Sequence, residues 1–306
     1  MITEPLAAGR KPHNRTWAVI ICYRPQQELV AALARALLIQ AEQVLILDND
    51  AASSTLDLLH IDRVIHVPMP SNLGTAAAMN RAWQMALQAN AEFVICFDQD
   101  SVVSDNLIAS LLSRWQQLKK NGYCPGAVGP AWEDARTHRM LRALKPAGWR
   151  RQRVDSDTAA SIEVDHLITS GCLIHRDCWL TTGPFDESLF LDYVDIEWNL
   201  RARNRGFHFY VTRDAKMQHA IGDSVISIFG RSLWIHQPMR QYLLVRNHLL
   251  LWRRPYISLS WKCRDALQVA MKTGLVLAFR GPRWQRLAWI TRGIWDGLKG
   301  RSGPIM

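Results

Sequence analysis

The sequence predicts an α/β protein built on a mostly parallel, doubly wound sheet flanked by helices, with a basic helical extension at its C-terminal end. Three observations predict it. Short, continuous apolar runs of the kind buried on both faces recur through the first hundred residues. Segments with helical spacing separate them, and that alternation is the mark of parallel strands joined by crossover helices. Finally, two acidic clusters follow directly on apolar runs, where such sheets bind ligands beyond the carboxyl ends of their strands.

Taken in order, Trp17–Tyr23 reads as a strand and Gln26–Gln40 as a helix with Leu29, Leu33 and Leu37 on one face. Val44–Leu47 and Val64–Val67 read as strands, Gly74–Asn90 as a helix, and Phe93–Phe97 as a further strand. A helix from about Asp105 to Lys120 and a short strand at Ala127–Gly129 follow. Trp132–Ala160 is polar and basic with little periodicity, which predicts a long loop. Val164–His175 reads as a hairpin-like pair around Ser170-Gly171-Cys172, and Gly183-Pro184-Phe185-Asp186 as a turn. Val194–Asn204 fits a helix stopped by Gly206, Phe207–Thr212 a strand, and His219–Gly222 a loop. From His236 the pattern is helical, with breaks at Pro255 and Gly281-Pro282.

With 306 residues, 48% of them hydrophobic and 21% charged, the chain can bury a sizeable core, and collagen-like, coiled-coil and wholly disordered classes are excluded. The net charge of +10 is unevenly placed. Residues 1–230 carry 23 basic and 25 acidic side chains; residues 231–306 carry 14 basic and 2 acidic, with six of the thirteen Trp. Domain boundaries follow: a polar N-terminus at 1–15, a near-neutral body at 16–230, and a basic, Trp-rich tail at 231–306. The N-terminus lacks the apolar core of a secretory signal, and the six Cys show neither CxxC pairs nor zinc-ligand spacing. A reducing cytoplasm is therefore expected. No run of eighteen apolar residues suggests a membrane-spanning helix.

Five segments carry candidate chemistry. Asp98-Gln99-Asp100-Ser101 ends a buried strand, and its two carboxylates suit one hard cation that also takes substrate phosphates as ligands; a solvated turn or cap is the other reading. Asp48-Asn49-Asp50 offers a carboxylate to a base imide or a ribose hydroxyl, or else forms a β-turn. Asn72–Arg81 joins a flexible entry to a run of small residues, suited either to close approach of a ligand, with Arg81 facing a phosphate, or to tight helix–sheet packing. Asp192, Asp195 and Glu197 cluster at a helix start, as dipole-stabilised caps or with one of them as a general base; Trp198 is then a candidate wall for a sugar ring. His219 is either structural or the last ligand of a Mg²⁺- or Mn²⁺-type site.

In type, order and separation these segments resemble the inverting glycosyltransferases of family 2, which have the GT-A fold, and within them the bacterial rhamnosyltransferase-like subset of O-antigen and related polysaccharide synthesis. The resemblance spans roughly residues 17–222 and continues weakly to Arg246-Asn247. It rests most on Asn72-Leu73-Gly74 with Asn80, Asp98-Gln99-Asp100-Ser101, Phe185-Asp186-Glu187, and Leu189–Trp198. By position it implies a nucleotide-sugar donor held near Tyr23, Asp48, Asn72, Gly74, Arg81 and Asp98. It further implies an acceptor near Asp192, Glu197 and Trp198, a Mg²⁺ or Mn²⁺ ion on Asp98, Asp100 and His219, and Asp195 as catalytic base. Two departures stand out: Cys22-Tyr23-Arg24 replaces the commoner Thr-Tyr/Phe-Asn, and Val194 stands where many relatives carry Glu.

What the resemblance implies is transfer of a sugar from a nucleotide donor, L-rhamnose from dTDP-β-L-rhamnose in the first instance, to a hydroxyl of a glycan or polyprenyl-diphosphate-linked acceptor. A UDP-galactofuranose or UDP-hexose donor, and a non-catalytic binding protein on the same fold, are the alternatives. The basic tail could bind nucleic acid, but no nucleic-acid-binding motif accompanies it. It could also be a plain solvated face. Clustered Lys/Arg with Trp favours an anionic membrane surface, and hence a peripheral position on the cytoplasmic face of the inner membrane.

Overall fold

The computed structural model describes residues 15–49, 61–134, 140, 142–147, 150–155, 159–219, 224–228, 231–235 and 237–305. In chain order the elements are β1 (Thr16–Cys22), α1 (Gln27–Leu38), β2 (Gln43–Asp48), β3 (Val64–Pro68), α2 (Gly74–Gln88), β4 (Phe93–Asp98), β5 (Val102–Val103), α3 (Leu107–Lys120), β6 (Pro125–Asp134), β7 (Arg142–Ala147), β8 (Arg150–Asp155), β9 (Ser161–Val164), β10 (Cys172–His175), α4 (Arg176–Thr182), α5 (Val194–Asn204), β11 (His208–His219), β12 (Ser224–Ile228), β13 (Arg231–Ile235), α6 (Pro238–Leu251), α7 (Leu259–Phe279) and α8 (Arg283–Lys299).

The main sheet runs β3-β2-β1-β4-β10-β6-β11-β5, with β9 beside β11. β1 pairs in parallel with both β2 and β4, so the strand order reverses there. Side chains alternate across β1: Trp17 and Val19 face the core under α2, while Ala18, Ile20 and Cys22 face the core under α1 and α3. Cover on both faces is why these strands read as unbroken apolar runs. The buried alanines Ala76, Ala78 and Ala82 bring α2 close to the sheet, so the small-residue run serves helix packing.

Three expectations are corrected. The stretch 132–160 is not one long loop: β6 continues to Asp134, and β7 and β8 form an antiparallel pair. Ala143, buried, stands opposite Val154, which packs on the core; a single apolar pair among basic neighbours is too faint a period to read. β9 and β10 are not partners of each other, since β9 pairs with β11 and β10 lies antiparallel between β4 and β6. Alternation identifies a strand but not its neighbour. His219 ends β11 instead of lying in a loop; Asp50 and residues 220–223 of the same two motifs lie outside the described residues.

The tail breaks into helices near Pro255 and Gly281-Pro282, as expected. It is not a detached appendage, however. The β12–β13 ladder crosses the boundary proposed at 230, and α6 reaches back to the body through buried Arg246 and Asn247. All six cysteines are free thiols. Burial, followed by a neighbouring Asp in each case, pushes Cys22 and Cys96 up to about 12, so they act as small core residues.

Candidate active site

A cleft of about 430 Å³ opens beyond the carboxyl ends of β1, β2 and β4, at the point where strand order reverses. Its lining includes Ile21 and Cys22 at the end of β1 with Tyr23 just beyond, Asn49 after β2, and Asp98 at the end of β4 with Gln99 just beyond. Parallel register sets Ile21 beside Asp98 and Cys22 beside Asp48, which aligns the three strand ends. Gln99 then mimics a strand: its Oε1 accepts from the Tyr23 backbone N–H (2.9 Å) and its Nε2 donates to the Tyr23 carbonyl (3.2 Å). Ser170 donates structure from behind, with its Oγ accepting from the Asp98 N–H (3.1 Å) and lying 3.0 Å from the Ser101 Oγ.

Asn72 and Gly74 complete the floor. Asn49 ties this loop down: its Oδ1 accepts from the Leu73 N–H and its Nδ2 donates to the Gly74 carbonyl. Gly74 has φ +85°, and the Phe190 carbonyl lies against its bare Cα. That contact joins the start of α2 to the segment that leads into α5, with Thr75 N–H donating to the Phe190 carbonyl (2.8 Å).

The segment before α5 is locally strained. Phe190, Asp192 and Tyr193 have φ of 64°, 46° and 67°, at a cost of about 1–3 kcal/mol each. Neighbours hold it in place. Asn247 Nδ2 lies 2.9, 2.8 and 2.9 Å from the carbonyls of Leu189, Leu191 and Asp192, and Arg246 reaches the Leu189 carbonyl as well. The Tyr193 hydroxyl donates to Asp265 (2.6 Å), which also meets His248 Nδ1 (2.7 Å). Asn80 brackets the preceding turn, bonding to the Phe185 N–H and carbonyl and to Glu187.

Asp195 lies in the first turn of α5, half-buried, with its Oδ1 accepting from the Ile196 N–H (2.8 Å). Burial pushes its carboxyl up to about 6, and the negative charges of Asp192 and Asp98 add to that. A carboxyl near 6 is ionised at neutral pH yet basic enough to accept a proton. Asp195 itself is not among the residues that line the cleft; Phe190 and Leu191, just before it in the chain, are.

Of the two acids expected to bind a divalent cation, Asp98 lines the cleft and Asp100 is exposed in the turn that follows β4. The pairing of Gln218 with Val102 brings the backbone of His219 alongside the Asp100–Ser101 turn. Among the described residues no group of three His, Cys, Asp or Glu side chains forms a closed cluster. A carboxylate in the cleft with a second two residues on suits a hard ion that keeps waters and shares substrate phosphates.

The family model for glycosyl transferase family 2 matches residues 17–178, more than half of the chain. The chain belongs to glycosyltransferase family 2. A dTDP-rhamnosyl transferase, RfbF, from Shigella flexneri is 29% identical over 294 residues, which cover 95% of this chain and 98% of that one. An uncharacterised Mycobacterium bovis protein is 26% identical over 151 residues, 48% of this chain and 54% of its own. The fold is shared with S. aureus TarS residues 1–349 in complex with UDP-GlcNAc (TM-score 0.55, 12% identity, 94% of this chain and 81% of that one). It is shared also with GalNAc-T7 crystallised with UDP, GalNAc and Mn²⁺ (TM-score 0.52, 12% identity, 83% and 55%). The chain is thus a rhamnosyltransferase-like family 2 protein of GT-A fold.

Several residues read from sequence meet in this family 2 site: Tyr23, Asn72, Gly74 and Asp98 line the cleft. Others do not. Asp48 is fully buried, 3.4 Å from His66 Nε2, and its neighbour Asn49 lines the cleft instead. Arg81 is exposed on α2, two turns beyond the cleft-lining Gly74 and Thr75. Asp192 accepts from Nε and Nη2 of Arg240 at 3.0–3.2 Å. The expected acceptor role of Glu197 and Trp198 is corrected. Glu197 is 1% exposed and closed in an ion pair with Arg201 (2.8 Å) and a hydrogen bond from Tyr256. Trp198 is fully buried against Phe185 and Phe209, its indole N–H donating to the Gly183 carbonyl, so no sugar can reach its face.

Sequence reading missed the contribution of α6, whose Gln237-to-Leu243 end supplies Met239, Arg240 and Leu243 to the cleft. Nothing in the pattern marks Arg240, which is one of many tail arginines. Asn49 and Gln99, by contrast, sit inside the two acidic motifs and were overshadowed by their carboxylate neighbours.

Proposed function

We propose that the protein is an inverting glycosyltransferase that moves L-rhamnose from dTDP-β-L-rhamnose to a hydroxyl of a glycan acceptor, lipid-linked and destined for O-antigen or related surface polysaccharide. The observation that carries the sugar is the 29% identity to a dTDP-rhamnosyl transferase, which runs through nearly the whole of both chains. The observation that carries the chemistry is Asp195, a carboxyl raised to about 6 by burial and by the charges of Asp192 and Asp98, on the helix that follows the cleft-lining Phe190 and Leu191.

On this reading the donor lies across the strand ends, between Tyr23 and Asn49 on one side and the Asn72–Gly74 loop on the other. Asp98 and Asp100, with His219, hold Mg²⁺ or Mn²⁺, which when bound offsets negative charge on the departing diphosphate. Asp195 takes the proton of the acceptor hydroxyl as its oxygen forms a bond to the anomeric carbon, and the bond from that carbon to the dTDP oxygen breaks. Attack opposite the leaving group inverts the β donor to an α-L-rhamnoside. One base suffices for such a displacement. Asn247 and Arg246 act by holding the backbone that aims Asp195, and Arg240 fixes Asp192 beside it.

Calorimetry of the full chain with dTDP and with UDP, each with and without Mn²⁺, tests the donor assignment. Mn²⁺-dependent binding that favours dTDP is expected. Binding of neither nucleotide would overturn it.

A further inference from the structure

Among the described residues, nothing covers the apolar stripe on the outer face of α8. Trp284, Leu287, Trp295 and Leu298 are 83%, 42%, 56% and 62% exposed, and their spacing keeps them within about 100° of the helix circumference. Ala288 and Thr291 fill the same stripe, which forms a shallow open groove between the two tryptophans. The opposite face cannot turn outward to replace it. It is notched by Gly293 and Gly297, where an added Cβ would come within 2.8 Å of the Tyr242 carbonyl and of Leu249 on α6. The preceding helix α7 carries an exposed row of its own, Leu267, Met271, Leu275 and Phe279.

Charge says what kind of partner fits. Of the sixteen charged residues in 231–306, two are acids, Asp265 and Asp296. Both are buried: Asp265 binds Tyr193 and His248, and Asp296 binds Tyr242 and Arg301. The tail therefore shows the solvent no acidic side chain, while Arg283 and Lys299 are exposed at the two ends of the stripe, Lys299 Nζ standing 4.9 Å over the Trp295 ring. A second copy would bring two such positive faces together, and like charges oppose that contact. No described helix is long and apolar enough to cross a membrane. Tryptophan and leucine flanked by cations suit the boundary between head groups and acyl chains.

We propose that the α8 stripe is the surface on which this protein lies in an anionic lipid bilayer, with Trp284 and Trp295 as its interfacial anchors and the exposed Arg283 and Lys299 at its two ends meeting the lipid head groups. The proposal rests on the reading of a lipid-linked acceptor, and it names the face that would bring the cleft to such a substrate. Because α8 packs on α6, and α6 both lines the cleft and holds the segment before Asp195, docking and catalysis are linked through one rigid element.

The test is co-sedimentation of the full chain with vesicles of three parts phosphatidylethanolamine to one part phosphatidylglycerol, and with phosphatidylcholine alone. The wild type should bind the anionic vesicles, less so in high salt. Trp284→Ser with Trp295→Ser should reduce partitioning at least about tenfold, with dTDP binding and transfer to a short soluble acceptor unchanged. Trp284→Ser alone, at the most exposed position, serves if the double variant fails to fold. Wild-type-like vesicle binding by the variants would overturn the proposal. So would failure of the wild type to bind, or a dimer in solution that the substitutions dissociate. Vesicle binding without any dTDP binding would leave the docking face standing and remove the catalytic reading alone.

Discussion

The carbonyl oxygen of Phe190 occupies the space that a side chain at Gly74 would need: a Cβ there would lie 2.3 Å from it. Residue 74 also has φ +85°, a region that costs an L-residue about 1–2 kcal/mol. Gly74→Ala should therefore lower stability by more than that strain, because the donor-side loop and the segment leading to Asp195 are forced apart. Denaturant melts together with dTDP calorimetry check this; a variant with wild-type stability and nucleotide affinity would show that the contact is dispensable.

Asp195 links activity to stability with opposite signs. Its folded-state value of about 6 lies above the ordinary 3.8, so below about pH 4 the carboxyl is protonated in both states and contributes nothing. Between about pH 4 and 6 the unfolded chain gives up this proton while the folded state keeps it, so stability falls; above about 6 both states carry the charge and stability levels off. Asp195→Asn keeps the acceptor for the Ile196 N–H and removes the charge. The variant should melt higher than the wild type at about pH 8, with the difference vanishing near pH 4, while transfer falls about 10²- to 10⁴-fold. Thermal melts across pH decide the first half.

The same value sets a pH profile. With Asp195 as base, kcat/KM should fall tenfold per pH unit below about 6 and level off above it. Steady-state rates from pH 5 to 8 check this, and a profile flat through that range would assign the base to another group.

Asn247→Ala removes the amide shared by three carbonyls in the strained Leu189–Asp192 segment. Leaving buried carbonyls unpaired should cost about 1–3 kcal/mol. If Asn247 positions Asp195, kcat should drop more than donor affinity does, which a purely structural role would not produce. Trp198→Phe makes the contrasting case. It loses the bond to Gly183 and some packing, so stability should fall by roughly 1–3 kcal/mol with kcat of the folded enzyme unchanged.

The strands and helices of the first 120 residues were legible because doubly covered strands and amphipathic helices leave strong periods, and the acidic strand ends at Asp48 and Asp98 follow from them. For Asp195 the motif supplies the expected role, and the structure adds a carboxyl raised to about 6 by burial. Trp198 was misread because adjacency to an acidic helix start says nothing of direction: on α5 it points into the core, three residues on from Asp195. The β7–β8 pair was hidden by basic residues around its one apolar contact. The share of α6 in the cleft was illegible for a different reason, since Arg240 and Asn247 act on residues some fifty positions earlier and no local pattern records such a meeting.

The most direct measurement is a donor panel with the purified full chain, a divalent cation and a lipid-linked glycan fraction as acceptor, scored as labelled sugar transferred. Transfer from dTDP-β-L-rhamnose in preference to UDP-galactofuranose and UDP-hexoses is expected, as is its loss in Asp195→Asn at unchanged dTDP affinity. Efficient transfer from a UDP donor with none from dTDP-rhamnose, or full rhamnosyl transfer by Asp195→Asn, would contradict this reading.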